Sequence, residues 1–169
     1  LLNEELINSV PKNSIIFNTE QVGSLNLNKR WVSRIMQLAE NGVELWDYSI
    51  FNLEYIYKFT KVEGKLFEIG YQDELNRIRL SKSPDIDVLF YGAMNERRKH
   101  IIDKLVESKI KVKCLFGEYG EKRDKWIANS KLVLNMHMYD SKVFEIIRVF
   151  YLMTNSVPVV SEYDKNTKI

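Results

Sequence analysis

The residue types best suited to chemistry in this sequence are a histidine, a glutamate and an arginine that follow one another closely. His137 ends an apolar run, and Glu145 and Arg148 lie three residues apart among apolar neighbours. A histidine or a carboxylate can act as a general acid or base, and an arginine can neutralise a phosphate. The alternative is an ion pair between Glu145 and Arg148 on one helix, which contributes only about 0.2–0.5 kcal/mol.

The segment around these residues predicts a strand, a helix and a second strand. The predicted elements are Lys131–His137, Val143–Thr154 and Pro158–Ser161. Asp140 and Ser141 are suitable N-cap residues for the helix. These elements form a right-handed βαβ crossover, and open α/β sheets bind ligands at the carboxyl ends of their strands. We therefore expect His137 to point toward the mouth of a crevice, and the backbone N–H groups of residues 142–145 to face an anion.

A second candidate site joins a predicted strand to a predicted helix at Gly92 to Asn95. A glycine there lets the backbone approach a ligand closely. Arg97 and Arg98 follow in the first helical turn, where the helix dipole disfavours cations. An anionic ligand would compensate, so both arginines are candidate contacts for a diphosphate. The alternative is an ordinary solvated surface.

Two further places carry residues that could serve a ligand. Gly117 and Tyr119 follow the next predicted strand, where a nucleobase could lie against the tyrosine; a simple turn is the alternative. In the N-terminal half, Glu20 and Asp47 each follow an apolar strand. Each carboxylate could orient an acceptor hydroxyl or act as a base, and a capping or loop role is the alternative.

Composition narrows the class of protein. The chain has 169 residues, of which 45% are hydrophobic and 28% charged, as in ordinary globular proteins. A net charge of +2 gives no broad electrostatic footprint for nucleic acid. No apolar run reaches the length of a membrane span, so we expect a cytoplasmic protein whose membrane contacts, where it makes them, are peripheral. The single Cys114, expected to be buried, excludes an internal disulfide and a cysteine-based zinc site.

Strand and helix patterns alternate along the chain with short connections. The other predicted strands are Ile15–Phe17, Val43–Tyr48, Lys65–Ile69, Val88–Tyr91 and Lys111–Phe116. This alternation predicts an α/β fold with two Rossmann-like parallel-sheet halves, the N-terminal half being incomplete. Residues 72–84 are polar and irregular, so we place domains at residues 1–75 and 76–169.

The runs DIDVLFYGAMNERRKHIIDKL and KVKCLFGEYGEKRDKWIANSKLVLNMHMYDSKVFEIIRVFYLMTNSVPVVSE resemble the C-terminal half of GT-B glycosyltransferases. The likeness is to the group-1-like bacterial enzymes of polysaccharide and surface-glycan synthesis. SIIFNTEQ, VELWDYSIFNLEYIYKF and KLFEIGYQ are similar to the end of the N-terminal domain of that fold. The resemblance implies that the C-terminal half binds a nucleotide-sugar donor and that the N-terminal half offers the acceptor.

This resemblance implies transfer of a sugar from a nucleotide diphosphate sugar to the hydroxyl of a glycan or another acceptor, with no bound metal and no cofactor. The predicted donor-binding residues are Gly92, Asn95, Arg97, Arg98, Gly117, Tyr119, Lys142 and Arg148. The predicted catalytic residues are Glu20, His137 and Glu145. The rival hypothesis is a non-catalytic doubly wound module that binds a nucleotide or another protein.

One segment departs from the family pattern. RVFYLMTNSVP resembles the family's RVFEALACGxP, and Arg148 matches its arginine. Tyr151 stands where many members carry a donor-contacting glutamate, and Ser156 replaces the usual glycine. Glu145, six residues earlier, is the candidate to take over the role of that glutamate.

Overall fold

A computed structural model describes residues 4–22, 28–139 and 141–163, so the predicted N-cap Asp140 lies outside it. The chain forms two compact units. The N-terminal unit comprises Leu1–Ile69 with Tyr139–Val143, and the C-terminal unit comprises Gly70–Met138 with Phe144–Ile169. Each unit contains a parallel sheet, one with three strands and one with four. The predicted α/β fold with two Rossmann-like halves is confirmed.

In the N-terminal unit, helices and strands alternate. The elements are α1 (Glu4–Ser9), β1 (Ile15–Asn18), α2 (Asn28–Glu40), β2 (Glu44–Asp47), α3 (Ile50–Thr60) and β3 (Gly64–Leu66). The sheet order is β1-β2-β3, all parallel. Ile35 of α2 and Ile56 of α3 pack with Leu45 of β2 in one apolar core, so both helices cover the same face of the sheet.

The C-terminal unit begins with a short 3-10 helix, Asp73–Leu75, and continues as a second alternating series. The elements are β4 (Ile86–Tyr91), α4 (Glu96–Glu107), β5 (Val112–Leu115), α5 (Gly120–Ala128), β6 (Ser130–Asn135), α6 (Ile146–Thr154) and β7 (Val159–Ser161). All four strands are parallel, in the order β5-β4-β6-β7.

Helices cover both faces of this second sheet. Leu89 of β4 packs with Ile127 of α5 and Leu152 of α6 on one face. The next residue, Phe90, packs with Ile102 of α4 on the other face. Successive side chains of a strand point to opposite faces, so the apolar pair on β4 serves both cores. The chain reverses direction across the sheet between β4 and β6, which makes their carboxyl ends a topological switch point.

The helix predicted to start at Val143 instead begins at Ile146, with Glu145 as its N-cap residue. Residues 142–145 are not helical, and Lys142, with a φ of +49°, lies in the left-handed region. Val143 and Phe144 are buried, so their apolar character reflects core packing of a non-helical segment. The prediction that the backbone N–H groups of residues 142–145 open this helix was therefore wrong.

Two smaller expectations were also wrong. The strand predicted to reach His137 ends at Asn135. Cys114, on the edge strand β5, is exposed rather than buried. Within the described part of the chain, no helix is long and apolar enough to cross a membrane.

A buried carboxylate fixes the carboxyl ends of β1 and β2. Asp47 is 0% exposed. Its Oδ2 accepts a hydrogen bond from Asn18 Nδ2 at 2.6 Å, and its Oδ1 accepts from Asn52 Nδ2 at 3.0 Å and from the Ser49 backbone N–H at 2.8 Å. Burial raises the pKa of Asp47 to about 6, although these hydrogen bonds oppose the shift. Asp47 therefore ties together the loops that follow both strands.

We expect Asp47→Asn to flatten the pH dependence of unfolding between pH values of about 4 and 6. The folded state favours the protonated carboxyl, because its pKa rises from 3.8 to about 6. The wild type therefore loses stability as pH rises through the folded pKa, by on the order of 3 kcal/mol, and the uncharged variant does not. Urea unfolding of both proteins across this range measures the difference.

Glu44→Gln, on the same strand, is the matched control. Hydrogen bonds from Lys65 and Trp46 hold the pKa of Glu44 below its ordinary value. Its removal should therefore change the pH dependence with the opposite sign. Parallel pH profiles for wild type and Asp47→Asn would contradict the role assigned to the buried carboxylate.

Candidate functional site

The candidate site lies in the C-terminal unit, where β4, β6 and β7 end beside one another. Tyr91, Asn135 and Ser161 are the last residues of these three strands, and Asn135 pairs with Ser161 in register. Side chains from α4, α6 and the segments after the strands join them. The switch-point cluster is defined as Arg97, Arg98, Asn135, His137, Glu145, Arg148 and Glu162.

Asn135 joins the glutamate and the arginine that the sequence singles out. Its side chain is 0% exposed. Its Nδ2 donates to Glu145 Oε2 and to Ser161 Oγ, each at 3.0 Å, and its Oδ1 accepts from Arg148 Nη1 at 3.1 Å. Sequence reasoning missed Asn135, although an amide within the apolar run LVLNM was a signal. Glu145 and Arg148 are therefore linked through a buried amide.

His137 and Glu145 form a buried dyad. His137 Nδ1 lies 3.1 Å from Glu145 Oε2, and the histidine is 3% exposed rather than open at a crevice mouth. Its Nε2 is buried and has no hydrogen-bond partner among the described residues. A carboxylate beside Nδ1 favours the tautomer with the proton on that atom, which leaves Nε2 as an acceptor. The dyad is thus arranged to accept a proton or a hydrogen bond at Nε2.

Arg98 holds the loop after β4 against the loop after β6. The residue is 3% exposed, and its guanidinium donates to the Ala93 carbonyl at 2.7 Å and to the Met136 carbonyl. Burial, reinforced by the like charge of Arg148, lowers the pKa of Arg98 to about 10, so the group stays charged at neutral pH. Asn95 caps α4 by accepting from the Arg98 N–H at 2.9 Å. Both residues therefore position the switch point.

Two guanidinium groups meet at Gly92, the first residue after β4. Gly92 has a φ of +138°, and a Cβ there would lie 3.4 Å from Arg148 Nη2 and 3.8 Å from Arg98 Nη1. The Arg148 guanidinium also lies over the Tyr91 ring, 4.9 Å from its centroid. Two like charges in a mostly buried place repel, and an anion beside them would offset that repulsion.

Arg97 contacts a carboxylate that sequence reasoning did not single out. Its guanidinium forms an ion pair with Glu162 and donates to the His137 carbonyl. The Glu162 carboxylate also accepts from the backbone N–H of His137 at 2.6 Å. Burial alone would raise the pKa of Glu162, but the hydrogen bonds from Arg97 and His137 hold it below its ordinary value.

The remaining predicted site residues lie elsewhere. Gly117, with a φ of +72°, and Tyr119, 77% exposed, follow β5 at the same edge of the sheet. Glu20 and Lys142 belong to the N-terminal unit, and both are exposed. The structure therefore gathers Gly92, Asn95 and the switch-point cluster in one place within the C-terminal unit.

Tyr151, the residue expected from the sequence resemblance to replace a glutamate, forms hydrogen bonds within the C-terminal unit. Its hydroxyl donates to Asp124 Oδ2 at 2.7 Å and accepts from Arg77 Nε at 3.0 Å. The Arg123 guanidinium lies over its ring, 4.7 Å from the centroid. Tyr151 thus connects α6 to α5 and to the segment before β4.

Comparison with known proteins gives relatives without an assigned function. No family model matches the chain. The chain is similar to uncharacterized proteins of Acanthamoeba polyphaga mimivirus. Protein L137 is 27% identical over 169 residues, which cover 95% of this chain and 22% of that protein. Protein L140 is 29% identical over 161 residues, covering 89% of this chain and 49% of that protein.

A third relative from the same virus, protein R358, is 30% identical over 148 residues, covering 87% of this chain and 49% of that protein. The chain thus spans between about a sixth and about half of the length of the curated relatives it matches, from 17% to 49%.

We expect neutral His137 to carry its proton on Nδ1 in the wild type. Glu145→Ala removes the carboxylate that accepts this proton, so the Nε2–H tautomer should then become populated. Long-range 15N–1H correlation spectra under alkaline conditions separate the two tautomers. The chain has two histidines, so His100→Gln identifies the signals of His137.

His100 is the internal control for this measurement. It is exposed on α4, and its nitrogen shifts should stay the same in Glu145→Ala. A wild-type His137 with its proton on Nε2 would show that the dyad does not set the tautomer.

Proposed function

We propose that the C-terminal unit binds the diphosphate of a nucleotide sugar at the switch-point cluster, and that the protein takes part in glycosyl transfer. The observation that carries this proposal is the approach of two guanidinium groups to Gly92 at the carboxyl ends of β4 and β6. Ligands of doubly wound sheets bind at such a switch point, and guanidinium groups suit phosphate oxygens.

The proposed chemistry needs a way to neutralise the departing diphosphate. When the bond between the sugar C1 and the diphosphate oxygen breaks, negative charge develops on that oxygen. Arg148 supplies positive charge there, and Arg98 adds to the local field while it holds the loops. Fixed cations of this kind would stabilise the leaving group without a metal ion.

The acceptor hydroxyl must lose a proton when its oxygen forms the new bond to C1. His137 Nε2 is the proposed proton acceptor, because Glu145 holds Nδ1 and leaves Nε2 without a partner among the described residues. Glu20, in the N-terminal unit, stays a candidate for orienting the acceptor. Bacterial-type surface-glycan synthesis is the setting that the sequence resemblance implies.

The second candidate function is nucleotide binding without sugar transfer. It is favoured by Tyr151, whose hydroxyl contacts Asp124 and Arg77 at the position of the family's donor-contacting glutamate. The near-complete burial of His137 also favours it, because a catalytic base must reach its substrate. Both candidate functions use the same diphosphate site, so a measurement of sugar transfer distinguishes them.

Binding of nucleoside diphosphates tests the shared site. We expect one of UDP, GDP or dTDP, with or without an attached sugar, to raise the melting temperature. A ligand at a hundred times its Kd should stabilise the fold by about 2.7 kcal/mol. Arg148→Ala should weaken that binding by roughly tenfold or more, since it removes a guanidinium from the site, as measured by titration calorimetry.

Arg79→Ala is the matched control, because Arg79 is an exposed arginine in the same unit. It should bind the nucleotide as the wild type does. Equal affinities for Arg148→Ala and wild type, or no binding of any of the three nucleoside diphosphates, would reject the proposed site. Release of nucleotide from the nucleotide sugar by wild type, and its loss in His137→Gln, would favour the transferase over the binding module.

A further inference from the structure

The Glu162 carboxylate is held in the way that proteins hold a bound anion. Its Oε2 accepts from the His137 backbone N–H at 2.6 Å and from Arg97 Nη2 at 3.0 Å, and its Oε1 faces Arg97 Nη1. A backbone N–H together with the fork of a guanidinium is a donor set that suits a phosphate oxyanion equally well. We call the His137 N–H and the Arg97 guanidinium the oxyanion seat.

We propose that the oxyanion seat takes a phosphoryl oxygen of the diphosphate ligand, and that Glu162 competes with the ligand by filling the seat with its own carboxylate. This inference rests on the proposed function, because it names a further contact of the same diphosphate. It assigns a role to Glu162, which the sequence motifs do not single out. It also implies that Arg97 can make its predicted contact with the diphosphate once the Glu162 carboxylate has left the oxyanion seat.

The exposure of the partners favours exchange at the seat. The side chains of Arg97 and Glu162 are 49% and 29% exposed, so a solute can reach both. Arg98, by contrast, is 3% exposed. Partly exposed ion pairs add little to folding stability, so replacement of the carboxylate by a phosphate costs the fold little. The backbone of Glu162 is held separately, since its N–H donates to the Asn135 carbonyl at 3.0 Å.

The switch-point cluster also contains polar atoms that the described residues leave unsatisfied. His137 Nε2 and Arg98 Nε are both buried, and neither has a hydrogen-bond partner within the described part of the chain. Buried polar groups of a folded protein are normally paired, so each such atom needs an explanation. His137 contributes its backbone N–H to the seat itself. A phosphate-bearing ligand at the seat would lie beside this residue.

Titration calorimetry with inorganic pyrophosphate and with the nucleoside diphosphate tests the competition. Glu162→Gln removes the charge of the competing side chain, so it should bind both ligands more tightly than the wild type, by roughly three- to tenfold. Arg97→Ala should bind both more weakly. In the Arg97→Ala background, the change at Glu162 should lose most of its effect, because the competitor and the ligand then share no guanidinium.

Glu96→Gln is the matched control for general electrostatics. Glu96 is the exposed first residue of α4, so its removal changes the net charge equally without touching the seat. Tighter binding by Glu162→Gln and not by Glu96→Gln supports the inference. Melting curves check that each variant is folded. If Glu162→Gln does not fold, Glu162→Ala takes its place in the comparison.

Unchanged or weaker binding by the folded Glu162 variants, with diphosphate binding intact in the wild type, would overturn the competition and leave the proposed function standing. Binding of neither ligand by the wild type or by any Glu162 variant would overturn both. The two failures therefore give different results.

Discussion

The C-terminal unit depends on one buried amide, the side chain of Asn135 at the end of β6. An amide presents a donor and an acceptor at once, and here the donor faces Glu145 and Ser161 while the acceptor faces Arg148. An aspartate could not donate, and an apolar residue could do neither. Because buried polar groups are costly when unpaired, the orientation of this amide fixes the side chains of Glu145, the N-cap of α6, and Arg148 of α6 relative to the strand ends.

The N-terminal unit also fixes the ends of its strands with hydrogen bonds between buried polar side chains. At the ends of β1 and β2, Asn18, Asp47 and Asn52 bond to one another, and Trp31 donates to Asn18 Oδ1 at 3.0 Å. This network therefore holds the loops in place through contacts within the unit. The switch-point cluster of the C-terminal unit, by contrast, leaves His137 Nε2 and Arg98 Nε without partners among the described residues. The two units thus share a way of fixing strand ends, but among the described residues only the C-terminal network contains buried side-chain polar atoms without a hydrogen-bond partner.

The sequence predicts the alternation of strands and helices well, because buried parallel strands such as VLFY are short apolar runs bounded by glycine or polar residues. It misplaces the start of α6, because the apolar pair Val143–Phe144 fits a helix face as well as it fits a buried extended segment. It does not reveal Asn135 or Glu162 as partners of the chosen residues. Hydrogen-bond direction and burial arise from tertiary packing, which periodicity does not encode.

The charge balance of the switch-point cluster connects the buried arginine to the proposed ligand. Apart from His137, three arginines face two glutamates, so an excess of one positive charge remains while Glu162 fills the oxyanion seat. Burial and the neighbouring arginines lower the pKa of Arg98, whereas Glu145 and Glu162 raise it. A diphosphate carries more negative charge than the single carboxylate it would replace. Its binding would therefore offset more of the repulsion between Arg98, which is charged at neutral pH, and the neighbouring arginines, and Arg98 holds the two loops of the switch point. Ligand binding and the positioning of these loops would then stabilise each other.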